Sequence, residues 1–531
     1  MAFVRELTHK RKSGKEVTYI QIVHSYRDGK RIRHRVLATL GRKDQLLKSG
    51  SLERMAYKLL EIAGKFDEFQ KERKGMPSLF LENTREMGRA HLFRYLWKKA
   101  GLREFFRRLA KREKLSFDLS EAIYEMVLNR ITEPSSKRRM FMEWRVEHDL
   151  EGDGLSLHHY YRALDYLVNA KESLEDHLFS LGRNLFSGPP KVVFFDTTST
   201  YFEGDGPEGL ASYGYSRDRR PDRRQVVIGV VLGERGLPVY HDVWKGSQMD
   251  LVTFRGVLGE LRKRWGLEEV IWVADRGCVA PRVLDVLDEA GVRYVVGMRM
   301  RKVKEVREGV LSMGGRYREL GNGLKVKEVL LGGHRYVVCY DPETAERDRR
   351  ERGEIIKLLM ENLRGDGSGI IQRGYRRFLK RFGGGRYEIN RERVKEEARY
   401  DGKWVLRTNT GLSTEEVVRV YKDLWRVERV FRDLKDVLRL RPIYHWRADR
   451  VRGHIFVCFL ALYLMRYLEV LLGEERGELG KLMRVLRGLK VAEVELEGRR
   501  YRVRTRVDGN TEKLLGRMGL RLPPLIESCG N

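Results

Sequence analysis

Cysteine is scarce in this chain of 531 residues. Its four copies, Cys278, Cys339, Cys458 and Cys529, lie far apart with no C-x-x-C spacing. Singletons of this kind indicate neither a zinc site nor a disulfide framework. Long apolar runs are missing too. The longest, residues 455–465, stops at Arg466, far short of the roughly 20 residues that span a bilayer. It reads as a buried helix. The opening MAFVRELTHKRK lacks the apolar core of a secretory signal. Acidic residues are in deficit as well: 76 Asp+Glu stand against 106 Lys+Arg, a formal net charge of +30. Such an excess repels itself in a compact state, and a polyanionic partner explains it most simply. Nucleic acid fits, because each neutralised phosphate releases condensed counterions. A membrane surface is the competing polyanion, and the apolar pattern speaks against it. The expected setting is cytoplasmic and nucleoid-associated.

What is present suffices for several cores. At 41% hydrophobic and 10% aromatic residues, a chain this long is expected to form two to four domains. Residues 1–50 read as β-rich, with strands at 17–24 and 30–40 flanking the turn dipeptide Asp28-Gly29. Residues 51–187 read as a helical region, with Leu157, Tyr161, Leu164 and Val168 on one helical face. Basic clusters (Arg107-Arg108, Lys111-Arg112, Lys137-Arg138-Arg139) punctuate it. Each alone is a solvated helix face; together with the global charge they suggest a DNA-binding region.

The Ser187-Gly188-Pro189-Pro190 stretch marks a boundary, since two prolines cannot continue a helix. Residues 188–300 then follow an α/β order. A buried strand at 191–196 ends in Asp196, and strands at 225–232 and 237–244 follow. After a helix at 251–265 comes a second buried strand, 270–274, ending before Asp275. A helix beginning at Pro281 leads to a strand at 294–297. Residues 301–410 read as an inserted, mainly β subdomain, with strands at 324–331, 335–340 and 404–408 and the glycine run Gly383-Gly384-Gly385. The α/β part resumes over 411–475 with a long helix opened by a Ser413/Glu416 capping box. Residues 476–531 form a C-terminal region with a strand-like stretch at 499–507.

Three carboxylates carry the chemistry. Two aspartates stand just beyond buried strands, where α/β sheets place ligands. On the long helix, Val417, Tyr421, Leu424, Phe431 and Leu438 line an apolar stripe, and Glu428 falls within it, with Lys435 on the same face. A buried carboxylate needs a cation or metal. It could instead pair with Arg432 or Lys435, or sit at the stripe's edge in water. Taken with the two aspartates it makes a candidate cage for hard divalent cations, Mg²⁺ or Mn²⁺. Two such ions support phosphodiester chemistry.

At these residues the chain resembles the DDE transposases of bacterial insertion sequences. The matching segments are Val193-Phe194-Phe195-Asp196-Thr197-Thr198-Ser199, Val273-Ala274-Asp275-Arg276-Gly277, and Tyr421 through Lys435 (YKDLWRVERVFRDLK). Arg441-Pro442-Ile443-Tyr444-His445-Trp446 and Arg452-Gly453-His454-Ile455 are similar as well. The intervals of 79 (275 − 196) and 153 (428 − 275) residues resemble the insertion-sequence-four-like branch, with its β-rich insertion and Y-x2-R-x3-E-x6-K signature. Tyr421, Glu428 and Lys435 match that signature, whereas Leu424 stands at its Arg position, leaving Arg426 or Arg432 as substitutes.

The resemblance implies an RNase H-like core in which Asp196, Asp275 and Glu428 ligate two Mg²⁺ ions, with Mn²⁺ as a substitute. It implies that Tyr421 and Lys435 hold DNA phosphate. The expected activity is metal-dependent cleavage at terminal inverted repeats followed by strand transfer into target DNA, by a homodimer or larger synaptic complex. A nuclease that cuts without joining, or an idle DNA-binding descendant, are the alternatives.

Overall fold

The computed structural model describes residues 2–10, 16–28, 31–62, 79–186, 188, 190–248, 250–266, 269–276, 281–364, 374–381, 387–496 and 499–529. Contacts divide the chain into two units, one of residues 1–83, 492–503 and 526–531, the other of residues 84–491 and 504–525.

In the first unit, β1 (Ala2–Lys10), β2 (Glu16–Asp28) and β3 (Arg31–Arg42) form an antiparallel sheet. The expected hairpin corresponds to β2 and β3; β1 was not anticipated. Gly29 of its turn lies outside the described residues. Short helices, Lys43–Lys48 and Ser51–Ile62, follow, and then β4 (Leu79–Glu86).

The second unit opens with helices Gly88–Lys99, Leu102–Arg112, Leu119–Thr132, Lys137–Met142, Leu157–Asn169 and Lys171–Leu185. The expected helix at 157 is present, but its buried face is Tyr160, Ala163, Leu164 and Leu167. Tyr161 and Val168 are only half-buried, so the stripe is rotated by about one residue. At the centre lies Ala448–Leu472, buried on all sides. It is apolar and long enough to cross a membrane (mean hydropathy 2.0), yet 78% of that stretch is buried inside the protein. Its apolar surface is used by the core. Gly453 permits the close crossing with Leu157–Asn169: a Cβ there would stand 2.8 Å from the Leu164 carbonyl oxygen.

The sheet of this unit contains β5 (Val192–Tyr201), β6 (Gln225–Leu232), β7 (Pro238–Lys245), β8 (Ile271–Ala274), β9 (Arg293–Gly297), β10 (Arg318–Glu319), β11 (Lys325–Leu331) and β12 (His334–Tyr340). After a separate small hairpin, β13 (Leu379–Arg381) and β14 (Tyr387–Ile389), it takes in β15 (Lys403–Thr408). The order is β10-β11-β12-β15-β9-β8-β5-β6-β7. β5, β6 and β7 form an antiparallel meander. β8 and β9 continue from β5 in parallel, and β15 turns the sheet antiparallel again.

This order corrects the expectation of a separate, mainly β insertion over 301–410. Its strands β10, β11, β12 and β15 extend the core sheet. The physical reason is the free edge of β9, whose backbone groups β15 satisfies. Tyr336, Val337, Val338 and Cys339 of β12 are all buried, as befits an interior strand covered on both faces. The same segment also carries a 23-residue helix, Pro342–Arg364. Gly383-Gly384-Gly385 lies outside the described residues. Finally, β16 (Lys490–Leu496), β17 (Arg499–Arg504) and β18 (Ile526–Cys529) join β4 in the order β18-β17-β16-β4.

Candidate active site

Asp196 does not end its strand. β5 runs on to Tyr201, paired with β6. Its parallel partner β8 is shorter, and the register joins Val192 to Ile271 through Phe195 to Ala274. Asp196 and Asp275 are therefore the next residues on two neighbouring strands, at the point where these part. Adjacent strands run about 4.8 Å apart, so the two carboxylates spring from adjoining backbone positions. Both residues are half-buried. Asp196 Oδ1 accepts from the Thr197 amide at 2.7 Å, and Asp275 Oδ1 accepts from the Tyr421 hydroxyl at 2.9 Å.

Tyr421 links this strand end to the helical segment behind it. The capping box closes as expected: Ser413 Oγ accepts from the Glu416 amide at 3.2 Å, and Glu416 Oε2 from the Ser413 amide at 2.9 Å. Helix Thr414–Lys422 then places Tyr421 against the end of β9. An added methyl on Gly297 would collide with the Tyr421 hydroxyl. Burial, then the charge of Asp275 and the hydrogen bond to it, push this hydroxyl far above its ordinary pKa, and Glu428 adds to the rise. Tyr421 is thus a neutral donor that feels two of the three carboxylates.

The long helix is not continuous. Leu424, Arg426 and Val427 donate to Tyr421, Asp423 and Leu424, three residues back in each case. Such a turn advances each residue about 120° rather than about 100°. The following helix, Trp425–Arg432, buries Val427, Val430 and Phe431. Glu428 is consequently exposed, which corrects its expected burial. Among the described residues it has no hydrogen bond or ion pair. Arg432, one turn on, is exposed and likewise without a partner.

Lys435 lies in a wide π turn, Asp433–Val437, and its side chain is only 10% exposed. Its Nζ meets Asp218 Oδ1 at 2.7 Å, and the Arg441 guanidinium reaches the same oxygen. Burial, with Arg441 and Arg217 nearby, lowers the Lys435 pKa against the upward pull of Asp218. Arg217 in turn donates to Thr197 Oγ1 at 2.6 Å, next to Asp196. Arg426 goes elsewhere. Two residues from Glu428 on the helix, it pairs with Asp423 at 3.3 Å and packs on Gly236. The structure does not bring it to the carboxylates.

Sequence reasoning missed the ionic cluster behind the helix. Arg429 meets Glu469 at 2.6 Å, Arg466 meets Glu469 at 2.6 Å, and Arg466 also pairs with Asp433. The i,i+3 spacing of Arg466 and Glu469 was the available signal. A divalent ion would find only carboxylate oxygens here, the hard donors it prefers. Among the described residues, no three acidic, histidine or cysteine side chains already stand close enough together to hold an ion. Asp196 and Asp275 stand on adjoining strand ends, and Glu428 is exposed on the helix that follows Tyr421.

The α/β chain is an enzyme of the DDE transposase type. Residues 187–464, which are 278 of 531 (464 − 187 + 1), match the transposase DDE domain, and the chain belongs to that family. Residues 4–70 match the N-terminal domain of the IS1634 family transposases, so this is a DNA transposase of an insertion sequence, catalysing DNA cleavage and strand transfer. Among solved structures, a piggyBac transposase synaptic complex with hairpin DNA is a distant likeness. It is 11% identical, covering 76% of this chain and 77% of that one, with a TM-score of 0.36. No curated protein matches the chain.

Proposed function

We propose that Asp196, Asp275 and Glu428 are the catalytic carboxylates and the ligands of two Mg²⁺ ions, with Mn²⁺ able to substitute. The observation that carries this is the β5–β8 register, which sets Asp196 and Asp275 side by side where the strands part. Glu428, exposed and without a partner among the described residues, on the helix that follows the one whose Tyr421 bonds Asp275, supports the third place. The β7-β6-β5-β8-β9 order, a meander followed by two parallel strands, supports an RNase H-like core.

Bound there, two such ions would activate an attacking hydroxyl and stabilise the leaving oxygen of a phosphodiester. The chain's own residues do the positioning. Tyr421 fixes Asp275 through a short hydrogen bond while remaining neutral, so it adds no charge to the site. Arg432 and Lys435 neutralise scissile-strand phosphate, Lys435 on exchanging Asp218 for DNA. Half-exposure of both aspartates leaves room for a DNA backbone to approach. Recognition of the terminal inverted repeats falls to the N-terminal region and the helices before residue 187, where phosphate contacts set position and base contacts set sequence. Two ends are joined in a dimer or larger synaptic complex, in the cytoplasm on the nucleoid.

The test uses duplex DNA carrying the sequence that flanks the gene, with purified protein and Mg²⁺. Wild type is expected to cut at the repeat end and join it to a second duplex, and Asp275→Asn to do neither. Cutting without joining would restrict the chemistry to hydrolysis. Undiminished activity of Asp275→Asn would overturn the assignment.

A further inference from the structure

The second unit holds a further cavity, of about 370 Å³. It is walled by the end of helix Leu119–Thr132, the start of Lys137–Met142 and the segment 439–445, with His454 beneath. Four cations face it: Arg130, Lys137, Arg439 and Arg441. Among the described residues no Asp or Glu lines it.

Lys137 is the telling group. It is 4% exposed, and its hydrogen bond is to His454 Nδ1 at 3.3 Å, a neutral partner. Arg130, 7% exposed, donates only to backbone carbonyls, those of Ser135 at 2.8 Å and Arg439 at 3.4 Å. Neither makes an ion pair with a described residue. A buried ammonium with no counter-charge is costly unless an anion meets it or it loses its proton. Burial, then Arg130, does hold Lys137 down to about 7. The two histidines of the wall report the same excess: burial, then Lys137 and Arg130, hold His445 at about 3 and His454 well below its usual value. Arg439, at φ 45, is exposed at the mouth.

One residue links the cavity to the neighbourhood of Lys435. Arg441 both lines it and reaches Asp218, the residue that holds Lys435. A track of cations therefore runs from Arg217, beside Thr197, through Lys435 and Arg441 to Lys137. Tyr161 and the exposed Tyr444 offer aromatic surface along the wall.

We infer that this cavity is a seat for a phosphate group of the DNA backbone, gripped by Lys137, Arg130 and Arg439. The inference rests on the reading of the carboxylates as a DNA-cutting site. A chain of phosphates is the anion that can occupy both places at once, whereas free phosphate would satisfy the cavity alone.

The experiment measures DNA affinity of the full chain against salt, without divalent metal, for wild type, Lys137→Met and Arg439→Gly. Methionine preserves the volume of Lys137, and glycine suits the positive φ at 439, so neither variant should unfold. Each is expected to lower the slope of log K against log salt by about 0.9. Affinity at low salt should fall on the order of tenfold, equally for all sequences. Replacing the contacted phosphate by a neutral methylphosphonate should cost wild type the same slope and the variants nothing more. Wild-type slopes in both variants would overturn the inference. Unchanged slopes with inorganic phosphate raising the Tm of wild type but not of Lys137→Met would also overturn it, leaving a seat for free phosphate. A wild type that binds with the expected slopes but never cuts would overturn the catalytic reading and leave the seat standing.

Discussion

The helical segment that carries Glu428 has two ionic faces of opposite construction. On the front, Tyr421 bonds Asp275, and Glu428 and Arg432 stand in solvent without partners among the described residues. On the back, each one residue further along than Glu428 and Arg432, Arg429 and Asp433 belong to a cluster with Arg466 and Glu469 in which every charge has an opposite. The back face is partly buried and its charges are paired, so it fixes the segment against the central helix. The front is left to solvent, where a substrate or an ion can reach it. Charges held for structure are neutralised within the fold, whereas charges held for chemistry await a substrate or an ion.

Substitutions can break this contrast. The largest expected effect is on activity: Asp275→Asn should reduce cleavage on the order of 10³-fold or more while shifting stability little, which parallel cleavage assays and thermal melts would check. Removing divalent metal with a chelator should match that loss in wild type. On the back face the expectation reverses. Arg466→Met takes the nearer cation from Asp433 and one of two from Glu469, leaving Arg429 to serve both, at a cost of about 3 kcal/mol, read by urea unfolding. Its residual activity should follow the folded fraction. Gly297→Ala, by pushing Tyr421 off Asp275, should cost about 1–3 kcal/mol of stability and reduce cleavage as well. Tyr421→Phe is the mildest, removing one bond to a carboxylate worth about 1.5 kcal/mol or more. It should lower cleavage about tenfold and the Tm by a few degrees.

Much of the core was legible because its strands are local patterns. Residues 225–232 form β6 as read, and the runs before Asp196 and Asp275 form the parallel pair. What failed depended on partners distant in sequence. The strands of 301–410 looked like a module of their own, since nothing local says that β15 hydrogen-bonds to β9. Asp196 read as a strand end because the polar residues after it, Thr197 to Thr200, hide a strand that is still buried. Glu428 was assigned to the buried stripe by a uniform helical period, which the tight turn at Asp423–Leu424 and the wide one at Asp433–Val437 do not keep. Lys137-Arg138-Arg139 reads as one solvated cluster, yet Lys137 faces inward and its two neighbours outward. The Leu424 departure from the family signature is explained by packing: that side chain is 6% exposed, inside the core.

The account stands most directly on Glu428→Gln, measured for thermal stability without metal and for DNA cleavage with Mg²⁺ in the same preparation. An exposed carboxylate without a partner should be replaceable within about 0.5 kcal/mol, so an unchanged Tm together with abolished cutting is the predicted result. A Tm lowered by several degrees, or cutting that survives the substitution, would contradict it.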